Sequence, residues 1–238
     1  MAGSKNMLTR QFLPLFLLMV FSTASQAHDD MPLFHAFRLE LDAGQDRDNQ
    51  SVSSWDLDGW VGGDDNKLWL KSEGAVVGHN TQTSENWAMY SRNIATFWDV
   101  QAGVRYDDHP ESTSYFVAGF TGLAPYHFET EAHLFVSNDG DVSFRLREEN
   151  DFLITQQLIL QPFLELNIYA QDVKELDMGS GLADANIGLQ LRYEITRKFA
   201  PYIDVSYESL FGDTADMADA KGEHTSNSTI TAGIRLMF

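Results

Sequence analysis

From residue 34 to residue 238, apolar side chains recur at every second position in short runs, the period of a strand with one apolar and one polar face. The last run is the clearest: Phe238, Leu236, Ile234, Ala232 and Ile230 alternate with Met237, Arg235, Gly233, Thr231 and Thr229. Upstream, Arg38, Glu40 and Asp42 oppose Phe37, Leu39 and Leu41, and Asp56, Asp58 and Trp60 oppose Trp55, Leu57 and Val61. Lys67, Trp69, Lys71 and Glu73 share a face in 68–78, and further strands are expected at 86–94, 97–107, 115–123, 126–137, 141–154, 158–171, 185–195 and 202–210. With the closing run that makes about twelve.

The connections sort with the strands. Links after the second, fourth, sixth, eighth and tenth strands are short, whereas 43–53, 78–85, 107–114, 172–184 and 211–226 are longer and polar. Short periplasmic turns, longer external loops and an even strand count are what a transmembrane antiparallel β-barrel of about 12 strands requires. One strand strains the pattern, because the parity that turns Phe144, Leu146 and Phe152 outward also turns Glu148 and Asn150 outward; a bulge or an interfacial depth would relieve it.

Ahead of the barrel, Lys5 and Arg10 precede the apolar run 12–21 and the small residues Ser25 and Ala27, the pattern of a cleaved signal peptide. The expected division is 1–27 signal peptide, 28–33 short periplasmic segment and 34–238 barrel. Residues 1–27 hold two of the 16 basic and none of the 35 acidic side chains, so the mature chain carries 14 basic against 35 acidic, −21. Such a balance excludes a nucleic-acid partner. With no cysteine to staple a secreted fold and no later run of about 18 apolar residues, a closed barrel is the remaining way to satisfy the backbone in lipid.

The residues Ser54-Trp55-Asp56-Leu57-Asp58-Gly59-Trp60-Val61-Gly62-Gly63-Asp64 and Asn66-Lys67-Leu68-Trp69-Leu70-Lys71-Ser72-Glu73-Gly74 resemble the outer-membrane copper resistance protein B (CopB/PcoB-type) family. Tyr90-Ser91-Arg92, Phe97-Trp98-Asp99, Gly122-Leu123-Ala124-Pro125-Tyr126, Leu158-Ile159-Leu160-Gln161-Pro162 and Arg192-Tyr193-Glu194-Ile195 extend the resemblance across the mature chain. It implies an outer-membrane barrel active in copper resistance, with copper ions, outer-membrane lipid and periplasmic copper proteins as partners. Copper would be a bound or transported ion, not a catalytic cofactor. Family members commonly carry a long Met- and His-rich segment before the barrel; here it shrinks to His28-Asp29-Asp30-Met31-Pro32-Leu33-Phe34-His35.

The residues offer two places for a metal. On the strand at 126–137, His127, Glu129, Glu131 and His133 are expected to form an inward row, with alternate positions about 6.5–7 Å apart. Imidazole and carboxylate suit Cu(II) or Zn(II). If cleavage follows Ala27, His28 adds a free α-amine to its imidazole, with Met31 and His35 nearby. His79, His109, Met178, Met217 and His224 read as ordinary loop residues. The other inward charges, Arg92 among them, are expected to hold one another in ion pairs. Two alternatives from other classes stand beside this reading: an outer-membrane lipid hydrolase, for which no outward His lies in register with an outward Ser, and a structural or porin-like barrel without a metal.

Overall fold

A computed structural model describes residues 33–238, and the expected signal peptide, His28 and Met31 lie outside the described residues. Twelve antiparallel strands follow in chain order: β1 (Phe34–Asp46), β2 (Ser51–Gly62), β3 (Asn66–Val77), β4 (Asn80–Ala95), β5 (Trp98–His109), β6 (Thr113–Ala124), β7 (Phe128–Ser137), β8 (Val142–Glu149, resumed at Phe152–Leu153), β9 (Leu158–Tyr169), β10 (Gly181–Tyr193), β11 (Phe199–Leu210) and β12 (Ser226–Met237). Each pairs with its chain neighbour, and β12 pairs back onto β1 through Leu39↔Leu236 and Leu41↔Ile234, so the sheet closes. Closure leaves no strand edge exposed.

The alternation expected from sequence sets the two faces. Leu39, Leu57 and Leu236 share one outward row, whereas Arg38, Glu40 and Asp56 line the interior. Aromatic rings lying over glycines of the neighbouring strand help fix the register. Outside, Phe37 covers Gly59, Trp55 covers Gly74 and Trp98 covers Gly122; inside, Phe163 covers Gly188 and Tyr202 covers Gly233. In each case a Cβ on the glycine would meet the ring within 2.7 Å, so the missing side chain is what lets the aromatic lie flat.

The strained eighth strand resolves without a bulge. Its register against β9 is continuous from Phe163↔Glu149 to Leu160↔Phe152, and the interruption falls opposite Pro162, which accepts from Asn150 N–H (3.2 Å) but has no N–H to return. Glu148 and Asn150 both sit close to the rim formed by the short turns. Glu148 accepts from Thr130 Oγ1 at 2.8 Å, and the buried Asn150 amide donates to Tyr126 O at 3.0 Å.

Three of the connections expected to be long are not. Ala43↔Ser53, Gly44↔Val52 and Gln45↔Ser51 continue the β1–β2 ladder, β4 begins at Asn80 and β5 runs to His109. These segments alternate poorly because both of their faces meet water, which hides a strand from a hydrophobic-periodicity reading. The long connections 170–180 and 211–225 remain, and they meet. The latter contains α1 (Gly212–Lys221), whose Thr214 Oγ1 accepts from Gly179 N–H (2.9 Å), while Lys221 pairs with Asp177 at 2.5 Å. Together they form a cap on the rim opposite the short turns. Arg92 also departs from expectation: Ser91 is the buried residue at that level of β4, and Arg92 is exposed on the outer face.

Candidate functional site

Closing twelve strands turns the polar half of every alternating run toward one interior, and chemistry there depends on how the charges are shared. One side of that interior is filled. Trp87 and Met89 of β4, Tyr115 and Val117 of β6 and Phe135 of β7 form a buried apolar cluster with Trp69 against it. The guanidinium of Arg105 lies 4.9 Å from the Tyr115 and Phe135 ring centroids and 5.5 Å from that of Trp87. It also donates to both Asp107 oxygens at 2.6 Å and pairs with Glu85 at 2.7 Å. The expected inward facing of Arg92 would by alternation turn Trp87 and Met89 of the same strand outward, and their burial in the interior corrects it; Phe135 follows Glu131 and His133 inward by the same alternation.

The rest is open from both rims. A cavity of about 1020 Å³ enters from the capped rim and one of about 520 Å³ from the short-turn rim, and Arg38, Arg147, Glu149, Gln161 and Arg235 line both. These residues form a septum. Arg147 pairs with Glu149 (2.7 Å) and Asp56 (3.4 Å), Arg38 with Glu149 (3.7 Å), and Arg235 with Glu40. Gln161 accepts from Arg192 (2.7 Å) and Arg235 (2.9 Å) and donates to Glu149.

The capped-rim cavity is strongly acidic. Five arginines line it, Arg38, Arg105, Arg145, Arg147 and Arg235, against more than twice as many carboxylates. Arg145 bridges Glu73 (2.7 Å), Glu85 (3.0 Å) and Glu165 (3.6 Å). Asp42, Asp184, Asp204 and Glu208 line the same space without an ion pair among the described residues. Asp42 accepts from Ser54 and Tyr202, and Asp184 from Asn167. Low-dielectric walls around an excess of one sign concentrate ions of the other.

The expected metal row is only partly assembled. His127 ends the 3₁₀ turn Pro125–His127 with a left-handed φ of 65° and is exposed, so it leaves the row before the strand begins. Glu129 lines the short-turn cavity, and Glu131 is held by Lys71 Nζ at 2.5 Å. His133, 1% exposed, donates from Nε2 to Gln101 Oε1 at 2.8 Å and sets its ring edge-on to Trp87 at 5.4 Å. Glu131 and His133 therefore remain neighbours, each with a protein partner. His35 of β1 is exposed at the short-turn rim, opposite Val61 on the outer face. Among the described residues no three His, Asp or Glu side chains converge as a metal-holding group.

Residues 33–238 match the family model described as copper resistance protein B precursor (CopB). Copper resistance protein B of Escherichia coli is 45% identical over 195 residues, 82% of this chain and 66% of that protein. A copper resistance protein B homolog of Pseudomonas syringae pv. tomato is 38% identical over 216 residues, 90% of this chain and 72% of that protein. The chain thus spans about two thirds of the first relative's length. Among solved structures, the NanC porin aligns with a TM-score of 0.59 at 13% identity, covering 83% of this chain and 98% of that one. The KdgM porin aligns at 0.55 with 10% identity, covering 84% and 99%. At these identities the two porins share the fold alone.

Proposed function

Because the chain belongs to the copper resistance protein B family, we propose that copper ions are the cargo of its lumen and that the acidic capped-rim cavity draws them in. The closed barrel and its porin relatives in fold belong to the outer membrane, so the lumen is a route between two aqueous compartments. The observation that carries the reading is the set of cavity carboxylates without basic partners, Asp204 and Glu208 above all. A cation attracted there descends to the septum, where Asp56 and Glu149 already hold arginines. Further passage requires those carboxylates to exchange a guanidinium for the metal, a replacement of one charge-assisted contact by another rather than a bare desolvation. The septum thereby narrows the path while its carboxylates keep a cationic partner throughout.

A metal-indifferent porin is the second reading, favoured by the two cavities and the porin-like fold. Family and fold both support a non-enzymatic role. Cells lacking the chain, cells restored with it, and cells restored with the double variant Asp204→Asn/Glu208→Gln separate these accounts when copper tolerance and cellular copper content are measured. Restoration by the parent and weaker restoration by an equally abundant variant supports copper handling; equal behaviour of all three strains supports the metal-indifferent barrel.

A further inference from the structure

The two long connections that survive as loops each bring a metal-binding side chain to the same opening. Met178 lies in 170–180, where its backbone bridges Val173 in both directions, N–H to O at 3.1 Å and O from N–H at 2.7 Å. That small loop is pinned to the cap helix by the Gly179–Thr214 hydrogen bond and the Lys221–Asp177 pair. His224 follows the left-handed Gly222 that ends α1, and Glu223 N–H bonds back to Ala218 O at 3.0 Å. Both Met178 and His224 line the acidic cavity, as does Asp48 of the β1–β2 turn, whose carboxylate lies 3.9 Å from His224 Nε2.

This arrangement is a presentation of ligands on a braced cap. Along the barrel wall the capped-rim cavity offers oxygen donors and guanidinium groups; the cap adds a thioether, which a soft cation prefers, and an imidazole, which also suits copper. We propose that Met178 and His224, with Asp48 beside the imidazole, form a capture site for Cu(I) at the mouth of the lumen. The inference rests on the copper reading above and deepens it by naming the residues that select the ion before it meets the carboxylates. A thioether ligand favours Cu(I) and its redox-inert counterpart Ag(I) over Zn(II) and Mn(II). The carboxylates behind it supply attraction but little discrimination.

The test uses the full mature chain, purified in detergent, with Ag(I) titrated calorimetrically into the parent, Met178→Leu, His224→Gln and the double variant. Leucine keeps the volume of methionine and removes the sulfur. The double variant is expected to lose one Ag(I) equivalent while retaining the parent's boiling-dependent gel shift, and Met178→Leu alone to weaken Ag(I) without weakening Zn(II). Unchanged Ag(I) stoichiometry and affinity in the double variant would overturn the site, as would loss of Zn(II) and Ag(I) alike in Met178→Leu. Copper tolerance distinguishes this failure from failure of the function. A parent that restores tolerance while the double variant keeps its Ag(I) equivalent rejects only the capture site; a parent that binds Ag(I) there without affecting tolerance rejects the copper-resistance reading.

Discussion

A missing methyl group at position 119 is what lets an imidazole cross a strand. His133 of β7 pairs directly with Gly119 of β6 and reaches Gln101 on β5 beyond it; a Cβ on Gly119 would stand 2.6 Å from the ring's Cδ2 and 2.2 Å from Ala132 O. Gly119→Ala should therefore push the ring off its partner and open the ladder locally, at about 1–3 kcal/mol, the usual cost of overpacking. The temperature at which the folded gel band disappears checks this, and a variant as heat-resistant as the parent would contradict it. Inward and outward parity was legible for most residues, but its ends were not. His127 and Arg92 both stand within a few residues of a short turn, where backbone such as the left-handed Tyr126, His127 and Phe97 resets the phase. Alternation counts positions along a strand and carries no information about where the strand stops obeying it.

Pro162 shows the same limit at the scale of an element. The period-two reading found β8 and β9, their register parity and the misfit of Glu148 and Asn150, yet the explanation lies in the neighbouring strand and in the turn beneath, neither of which a single-strand pattern samples. Giving position 162 an N–H should close the ladder: Pro162→Val is expected to yield a slowly exchanging amide at 162 and stronger protection around Asn150 and Asp151. Unaltered exchange there would mean that the break has another cause. The wall above the lipid was illegible for a different reason. Residues such as Asn80, Thr81 and Thr83 are strand without an apolar face, and their pairing partners, not their own side chains, hold them extended. The cap was likewise hidden: Met178 and His224 are 46 residues apart by their numbers, and only the contact between α1 and 170–180 brings their loops together.

Over the whole molecule, charge is distributed with a direction. Inside the barrel the acidic surplus lies in the cavity below the cap, where carboxylates outnumber arginines more than two to one, while Arg38, Arg147, Arg192 and Arg235 gather about Gln161 at and below the septum. An ion entering from the capped rim thus passes from surplus carboxylates to carboxylates already paired. The expected barrel, its closure and its charged interior were all readable from the alternating runs; the division of that interior into apolar cluster, septum and two cavities depends on which inward rows meet across the lumen, a matter of three-dimensional register. The most direct measurement of the central claim is copper influx into liposomes bearing the reconstituted barrel and an enclosed copper-sensitive dye. The account predicts influx above protein-free liposomes, reduced in Asp204→Asn/Glu208→Gln at equal barrel density; influx no greater than in protein-free liposomes would contradict it.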